Sequence, residues 1–305
     1  MIPAPPVAVT GATGFVGQAV LDEAEKRGAS VKALTRREQA SRGGIEWVRG
    51  DLADEAALTE LVRDSGAVLH IAGVIKAADE AGFVDGNVRG TERVVAAARD
   101  AGVRRFVLVS SLAAREPGLS LYGKSKRLAE EVVQTSGLAW TIVRPPTVYG
   151  PRDRETLELF RMAKRGIVPM PGEGRSSIVH AEDLARLLLD LAAGSLAAER
   201  ILEPHDGRES GWTHEDLARA IGDAVGRQVR VPRVPAGLLR FAAKMDEALR
   251  RSNAKLTQDR VGYMTHPDWT SDRSRAVPDD VWTAQIATPV GLRTTAEWYR
   301  EAGWL

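Results

Sequence analysis

The octet Thr10-Gly11-Ala12-Thr13-Gly14-Phe15-Val16-Gly17 constrains the fold more than any other stretch of the chain. An apolar run with strand character, Val7–Thr10, precedes it, and a helical pattern follows it to Arg27. Three glycines at this spacing between strand and helix have separate duties. The first permits a tight turn, the second lets backbone approach a pyrophosphate, and the third packs helix against strand. The helix N-terminus adds its unpaired N–H groups and the positive end of its dipole. The octet therefore predicts a dinucleotide site at Gly11, Thr13, Gly14, Phe15, Val16 and Gly17.

The next 130 residues support that reading. Strand-like runs at Ser30–Leu34, Ile45–Arg49, Ala67–Ile71, Arg105–Ser110 and Trp140–Arg144 alternate with helical patterns at about Asp54–Asp64, Phe83–Ala101 and Ser120–Ser136. Such alternation predicts an α/β fold, a Rossmann doubly wound parallel sheet. Beyond Gly150 the texture changes. Pro151, Pro169, Pro171, Gly172 and Gly174 punctuate the chain, Ile178–Gly194 returns to strand plus helix, and Trp212, Trp269, Trp282, Trp298 and Trp304 cluster in the last hundred residues. We read a smaller C-terminal α/β substrate domain there. The expected division is 1–151 with 176–203 for the dinucleotide-binding domain, and 152–175 with 204–305 for the substrate-binding domain.

Composition removes several function classes. Lys and Arg total 42 against 41 Asp and Glu, which argues against a nucleic-acid partner. The absence of cysteine excludes disulfides, thiolate metal sites and cysteine nucleophiles. His70, His180, His205, His214 and His266 show no ligand spacing, so no metal is expected. Met1–Pro6 has neither the basic nor the apolar region of a leader, and Leu184–Ala193, the nearest approach to a transmembrane segment, is interrupted by Arg186 and Asp190. The expected location is cytoplasmic, with membrane contact limited to a peripheral kind.

The cofactor is chosen at the end of the second strand. An acid there would bind a ribose 2′-hydroxyl and repel a 2′-phosphate. The chain instead offers Thr35-Arg36-Arg37, two guanidiniums suited to clamp a phosphate, so NADP(H) is expected over NAD(H). Asp51 and Leu52 follow the third strand, where an acid can meet the adenine amino group. Ile71, Ala72 and Gly73 follow the fourth, keeping that edge small where a cofactor passes. His70 itself reads as a structural hydrogen-bonding residue.

Three further residues carry the chemistry. Tyr122 and Lys126 are four apart on a predicted helix and so share a face. Ser110 and Ser111 close the fifth strand at the carboxyl edge of the sheet, where such folds place ligands. A lysine ammonium beside a phenol draws its pKa down from ~10 toward working pH. Tyr122 then suits proton exchange with a carbonyl or alcohol oxygen, and a serine hydroxyl would hold that oxygen in place.

Together with Arg144-Pro145-Pro146-Thr147-Val148-Tyr149-Gly150-Pro151 and Val179-His180-Ala181-Glu182-Asp183-Leu184-Ala185, these motifs resemble the extended short-chain dehydrogenase/reductases, the NAD(P)-dependent epimerase/dehydratase-like family. The resemblance spans residues 7 to about 190. It implies hydride transfer at a nicotinamide and a triad of Ser111, Tyr122 and Lys126. In it Ser111 orients a carbonyl, Tyr122 is the acid/base, and Lys126 holds the nicotinamide ribose. It also implies that Ser110 and the segment with Pro145, Thr147 and Val148 line the cofactor, and that a homodimer is the family habit.

One departure bears on substrate. Ten residues separate Ser111 from Tyr122, fewer than in sugar-modifying members, and Ala113–Ser120 is too short for their pocket loop. In character the chain is similar to lipid-directed ketoreductases of ceramide and 3-hydroxysteroid type and to the NADPH-holding accessory subunit of respiratory complex I. That resemblance implies reduction of a ketone on a hydrophobic substrate such as a 3-oxo-ceramide or 3-oxo-sterol. An NDP-sugar epimerase or dehydratase, with Arg152, Arg154 and Arg175 as its phosphate candidates, is the first rival. A non-catalytic NADPH-binding scaffold is the second. Pro235–Arg251 reads as a basic amphipathic helix that rests on lipid, covers a greasy ligand, or packs its apolar face inward, the last being favoured.

Overall fold

The computed structural model describes residues 4–194, 198–250, 254 and 256–305. The chain divides into two compact units, Met1–Arg144 with Leu184–Leu202, and Pro145–Asp183 with Glu203–Leu305. Two exchange points fall just past strands of the first unit and the third within the first turn of a helix.

In the first unit the elements run β1 (Val7–Thr10), α1 (Phe15–Arg27), β2 (Val31–Thr35), β3 (Ile45–Arg49), α2 (Glu55–Val62), β4 (Ala67–His70), α3 (Glu80–Phe83), α4 (Gly90–Asp100), β5 (Arg105–Val109), α5 (Leu121–Gln134) and β6 (Ala139–Val143). Asp54 caps α2 and Ser120 caps α5, each accepting a backbone N–H of the first turn, so both helices start where their sequence supplies an oxygen. β1, β2, β4 and β5 are almost wholly buried, as expected of strands covered on both faces. Leu58, Leu61, Val68, Val94, Phe106 and Ile142 lie in the core beneath the helices on one side.

Between α3 and α4 the predicted continuous helix is interrupted by a π-helical turn, Val84–Arg89. The helical pattern hides this, because a π turn adds one residue without altering composition. Asn87, inside that turn, is 2% exposed.

The second unit starts with β7 (Thr147–Tyr149), α6 (Leu157–Lys164), β8 (Met170–Pro171), β9 (Arg175–Ser176) and β10 (Ile178–His180). After α7 (Ala181–Ala193), most of which belongs to the first unit, comes β11 (Arg200–Leu202). β11 completes the first unit's sheet, whose order is β11-β6-β5-β4-β1-β2-β3 with every neighbouring pair parallel. This is the doubly wound sheet expected, with one strand more than the sequence suggested. Arg200-Ile201-Leu202 is too short to show a strand period.

The second unit continues with β12 (Trp212–Thr213), α8 (His214–Val225), β13 (Arg233–Val234), α9 (Ala236–Arg250), α10 (Gln258–Met264), β14 (Asp268–Trp269) and α11 (Thr288–Glu301). Its core gathers Phe160, Ile178, Leu217, Ile221, Leu292 and Tyr299. Asp183 organises the approach to α11: its carboxylate accepts the N–H groups of Gln285 at 3.0 Å and Ile286 at 3.1 Å. α9 departs from expectation. Leu238, Phe241, Met245 and Leu249 face outward, while Ala243 is the residue it buries. Arg251 lies outside the described residues.

Among the described residues no helix is long and apolar enough to cross a membrane.

Candidate active site

The strand order reverses between β1 and β4, with β2 leading away on one side and β5 on the other. This is the crevice where open α/β sheets bind ligands. The glycine octet leaves β1 there. Gly11 has φ +73°, and a Cβ on it would lie 2.5 Å from the Ala72 amide nitrogen. A Cβ on Gly17 would lie 2.1 Å from the Gly11 carbonyl oxygen. The first glycine thus lets the turn pass the end of β4, and the last lets α1 rest on that turn. Gly14 caps α1 with no side-chain hydrogen bond, and the first turn holds no acid. Phe15 and Val16, half-buried, form that turn, while Thr13 and Gly14 are exposed at its mouth. A cradle that only glycine permits, under an uncapped helix start, fits a pyrophosphate.

Around the cradle the other expected residues are arranged strand by strand. Arg36 and Arg37 are exposed just beyond β2. Thr35 Oγ1 accepts the Arg37 N–H at 3.2 Å and donates to its carbonyl at 2.7 Å, fixing the backbone of the arginine pair. Asp51 is exposed after β3, with Oδ1 accepting the Ala53 N–H at 2.8 Å. Leu52 packs against the core under α4. Beyond β4, the Ile71 N–H donates to the Thr10 carbonyl at 3.2 Å and the Ala72 N–H to Thr10 Oγ1 at 3.3 Å.

His70 ties this edge together. Thr91 Oγ1 donates to the Asn87 carbonyl at 2.6 Å, so its contact with His70 Nε2 at 3.1 Å requires the ring to donate. Nδ1 then accepts from Thr10 Oγ1 at 2.6 Å. Complete burial, and secondarily the charge of Lys126, push the imidazole pKa down to about 3. His70 is a neutral structural residue.

The chemical end is assembled by α5. A short 3₁₀ turn, Leu112–Arg115, follows Ser111, whose Oγ accepts the Ala113 N–H at 3.2 Å. A Cβ on Gly123 would lie 2.6 Å from the Ala113 carbonyl oxygen, so the first turn of α5 sits directly on that 3₁₀ turn. The glycine after Tyr122 is therefore what brings the tyrosine's helix to the serine's loop. Tyr122 is half-buried, its ring 6.3 Å from that of Phe83. One turn on, Lys126 is buried and its Nζ donates to the Val109 carbonyl at 2.7 Å. A side chain added at Gly73 would begin 3.5 Å from that ammonium. Burial lowers the Lys126 pKa to about 8, against an opposing pull from the Glu130 carboxylate.

The two adjacent serines have different fates. Ser110 Oγ is buried and donates to Glu130 Oε1 at 2.5 Å. Ser111, at the next position, is half-buried at the sheet edge. Pro145, Thr147 and Val148 belong to the second unit, just before and on β7. In that unit Arg154 lies 4.4 Å over the Trp304 ring, while Arg175, His214 and Arg233 line a cavity of about 490 Å³.

Glu130 and Asn87 escaped the sequence reading, and the side-chain role of Arg144 did too. Glu130 and Arg144 form a buried ion pair, and Asn87 joins three segments. Asn87 Oδ1 accepts the Val74 N–H at 2.6 Å, and its Nδ2 donates to the Val74 carbonyl and to Ser125 Oγ, each at 2.9 Å. Glu130 continues the four-residue spacing of Tyr122 and Lys126, a signal that was available. Asn87 had one too, since with Thr91, Val94 and Ala98 it falls at helical spacing on the buried face.

Comparison with known proteins agrees with this geometry. Residues 7–199 match the model of the NAD dependent epimerase/dehydratase family. A protein named ceramide reductase from Caulobacter vibrioides is 35% identical over 308 residues, covering 98% of this chain and 96% of its own. A 4-hydroxy-2-methyl-3-oxo-4-farnesyl-3,4-dihydroquinoline-1-oxide ketoreductase from Stigmatella aurantiaca is 34% identical over 48% of this chain and 51% of its own. The solved structure of MoeE5 in complex with UDP-glucose and NAD superposes with a TM-score of 0.76, covering 97% of this chain and 99% of that one, at 24% identity. That last likeness bears on fold alone. The chain belongs to the NAD dependent epimerase/dehydratase family, the extended short-chain dehydrogenase/reductases, and is an NAD(P)-dependent oxidoreductase of that family.

Proposed function

We propose that the protein reduces a ketone on a hydrophobic, lipid-like substrate to a secondary alcohol, with NADPH as its reductant. The observation that carries this reading is the division of labour at the end of β5 and the start of α5. Ser111 Oγ already accepts a backbone N–H, which leaves its own hydrogen to donate to a substrate carbonyl oxygen. Tyr122 delivers a proton to the same oxygen. Lys126, one turn further along the same face, places a positive charge that stabilises the negative charge left on the phenol. Bound NADPH supplies the hydride that reduces the carbonyl carbon. The 35% identity with a ceramide reductase over nearly the whole chain supports a lipid ketone as substrate. The exposed Arg36 and Arg37, to which no described carboxylate is bonded, support a 2′-phosphate on the cofactor.

The test is NADPH oxidation, followed by absorbance, against parallel panels of lipid 3-ketones and NDP-sugars. We expect stoichiometric NADPH consumption with a lipid ketone, lost in Tyr122→Phe while cofactor binding persists. Conversion of a sugar nucleotide without net cofactor consumption would replace this reading with an epimerase or dehydratase.

A further inference from the structure

The segment between β2 and β3 carries three arginines, and the fold uses them differently. Arg36 and Arg37 are exposed, with no described carboxylate bonded to either, whereas Arg42 is half-buried and turned onto α1. Its Nη2 donates to Asp22 Oδ1 at 2.8 Å and to Glu25 Oε2 at 2.5 Å, and its Nη1 donates to Gln18 Oε1 at 3.4 Å. Gln18, Asp22 and Glu25 follow one another at four- and three-residue spacing, so they form one stripe along α1 that receives the segment.

Gln18 carries the tie inward. Its Nε2 donates to the Ala12 carbonyl at 3.1 Å, inside the glycine turn. A relay of hydrogen bonds thus runs from that turn through Gln18 to Arg42. The Arg42 carbonyl accepts the Ile45 N–H at 3.2 Å, and the Ala40 carbonyl accepts from Trp47 Nε1 at 3.0 Å. Thr35 holds the Arg37 backbone from the other end. The segment is therefore fastened at both ends, and the exposed Arg36 and Arg37 lie between the ties.

Ordering a loose segment when a ligand binds costs affinity, and a segment already held in place avoids that cost. A 2′-phosphate would engage this segment through its charge, and a 2′-hydroxyl would not. Resting on the NADPH reading above, we propose that Arg42 is a positioning residue for cofactor choice. Bonded to Gln18, Asp22 and Glu25, it holds the segment against α1 so that Arg36 and Arg37 stand ready for a 2′-phosphate that Arg42 itself does not touch. Direct contact with the phosphate is the rival role for a third guanidinium here. The two roles give opposite results when Arg42 is released from α1.

The experiment is titration of the full chain with NADPH and with NADH, followed by tryptophan fluorescence. It is run for the parent, Arg36→Ala, Arg42→Ala and Asp22→Ala/Glu25→Ala, with circular dichroism as the control on folding. The double variant removes the anchor, leaves every cation in place and puts the best helix former at both positions. It also takes two negative charges away from the segment. That change alone, or release of Arg42 to the phosphate, would strengthen NADPH binding, whereas loss of the anchor weakens it. We expect Arg42→Ala and the double variant each to lose about fivefold or more in NADPH affinity, with NADH affinity within about twofold of the parent. NADPH affinity kept or raised in Asp22→Ala/Glu25→Ala would overturn the proposal. An equal loss for both cofactors would do the same, because it marks a tie that only supports the fold. A preference for NADPH that falls in Arg36→Ala and survives in both anchor variants would defeat the role of Arg42 alone. A parent that binds NADH and NADPH equally would defeat the NADPH reading and the proposal with it.

Discussion

Glu130 holds Arg144 at two points, with Arg144 Nε donating to Oε1 at 2.8 Å and Nη2 donating to Oε2 at 2.6 Å, and both side chains are essentially fully buried. Oε1 also takes the Ser110 hydroxyl. One carboxylate therefore fastens α5, the helix of Tyr122 and Lys126, to the ends of β5 and β6. A buried, fully bonded pair is costly to break from one side, because the remaining charge has no water to turn to. Arg144→Met should lose about 3–5 kcal/mol of unfolding free energy. Glu130→Leu/Arg144→Met should recover much of that loss. Denaturant unfolding of the two variants checks this, and a double variant no more stable than the single would refute it.

On the proposed mechanism Lys126 should set the alkaline side of the pH profile. Burial brings its pKa from 10.5 to about 8, so the ammonium is present below that pH and disappears above it. If turnover needs that charge, kcat/KM should be level below about pH 8 and decline above it. Lys126→Arg should retain the plateau to higher pH at reduced turnover, because guanidinium stays protonated. The sign for stability is opposite. Between pH 8 and 10.5 the unfolded chain binds this proton and the folded one does not, so the cost of burying the charge is relieved as pH rises. Lys126→Met should accordingly melt higher than the parent at pH 7, while losing activity.

The proposed preference for NADPH rests on Arg36 and Arg37. On the proposed reading, replacing Arg36 with alanine would remove a charge-assisted hydrogen bond to a 2′-phosphate and none to a 2′-hydroxyl. NADPH affinity should fall roughly ten- to hundredfold with NADH affinity little changed. Titration of tryptophan fluorescence with both cofactors measures it. Equal affinity of the parent for NADH and NADPH would remove the 2′-phosphate argument.

Acid should find His70. The ring is neutral in the folded state and its pKa is held near 3, against 6.5 in an unfolded chain. As pH falls from 6.5 toward 3 the unfolded state takes up a proton that the folded state refuses, and stability drops by about 1.4 kcal/mol per pH unit from this group. His70→Gln should be less stable at pH 7.5, yet show a shallower decline on acidification. Thermal midpoints from pH 4 to 7.5 for both proteins give the comparison.

Much of the sheet was legible because inner strands such as β1 and β4 are covered on both faces and so appear as short apolar runs. Tyr122 and Lys126 were singled out by local spacing and Ser111 by the family resemblance, and the structure sets their segments against one another through Gly123. What escaped depends on tertiary position. Asn87 falls on the buried face of the helical pattern, but only its partners Val74 and Ser125 show what it does there, and Arg144 was noted within a motif while its side chain makes the buried pair. α9 escaped for a different reason. Amphipathic spacing reveals that a helix has two faces and not which one the fold will keep, and here three local hydrogen bonds keep the polar one.

The position of β11 has a consequence for synthesis. β6 ends at Val143, but its outer neighbour arrives only with Arg200–Leu202, after the whole of Pro145–Asp183 has been made. At about 5–20 residues per second, β6 emerges from the ribosome with a bare edge for roughly 3–12 s. Its residues, Ala139-Trp140-Thr141-Ile142-Val143, are those of a sticky strand. A nascent chain stalled within that interval would present this edge to its neighbours on a polysome.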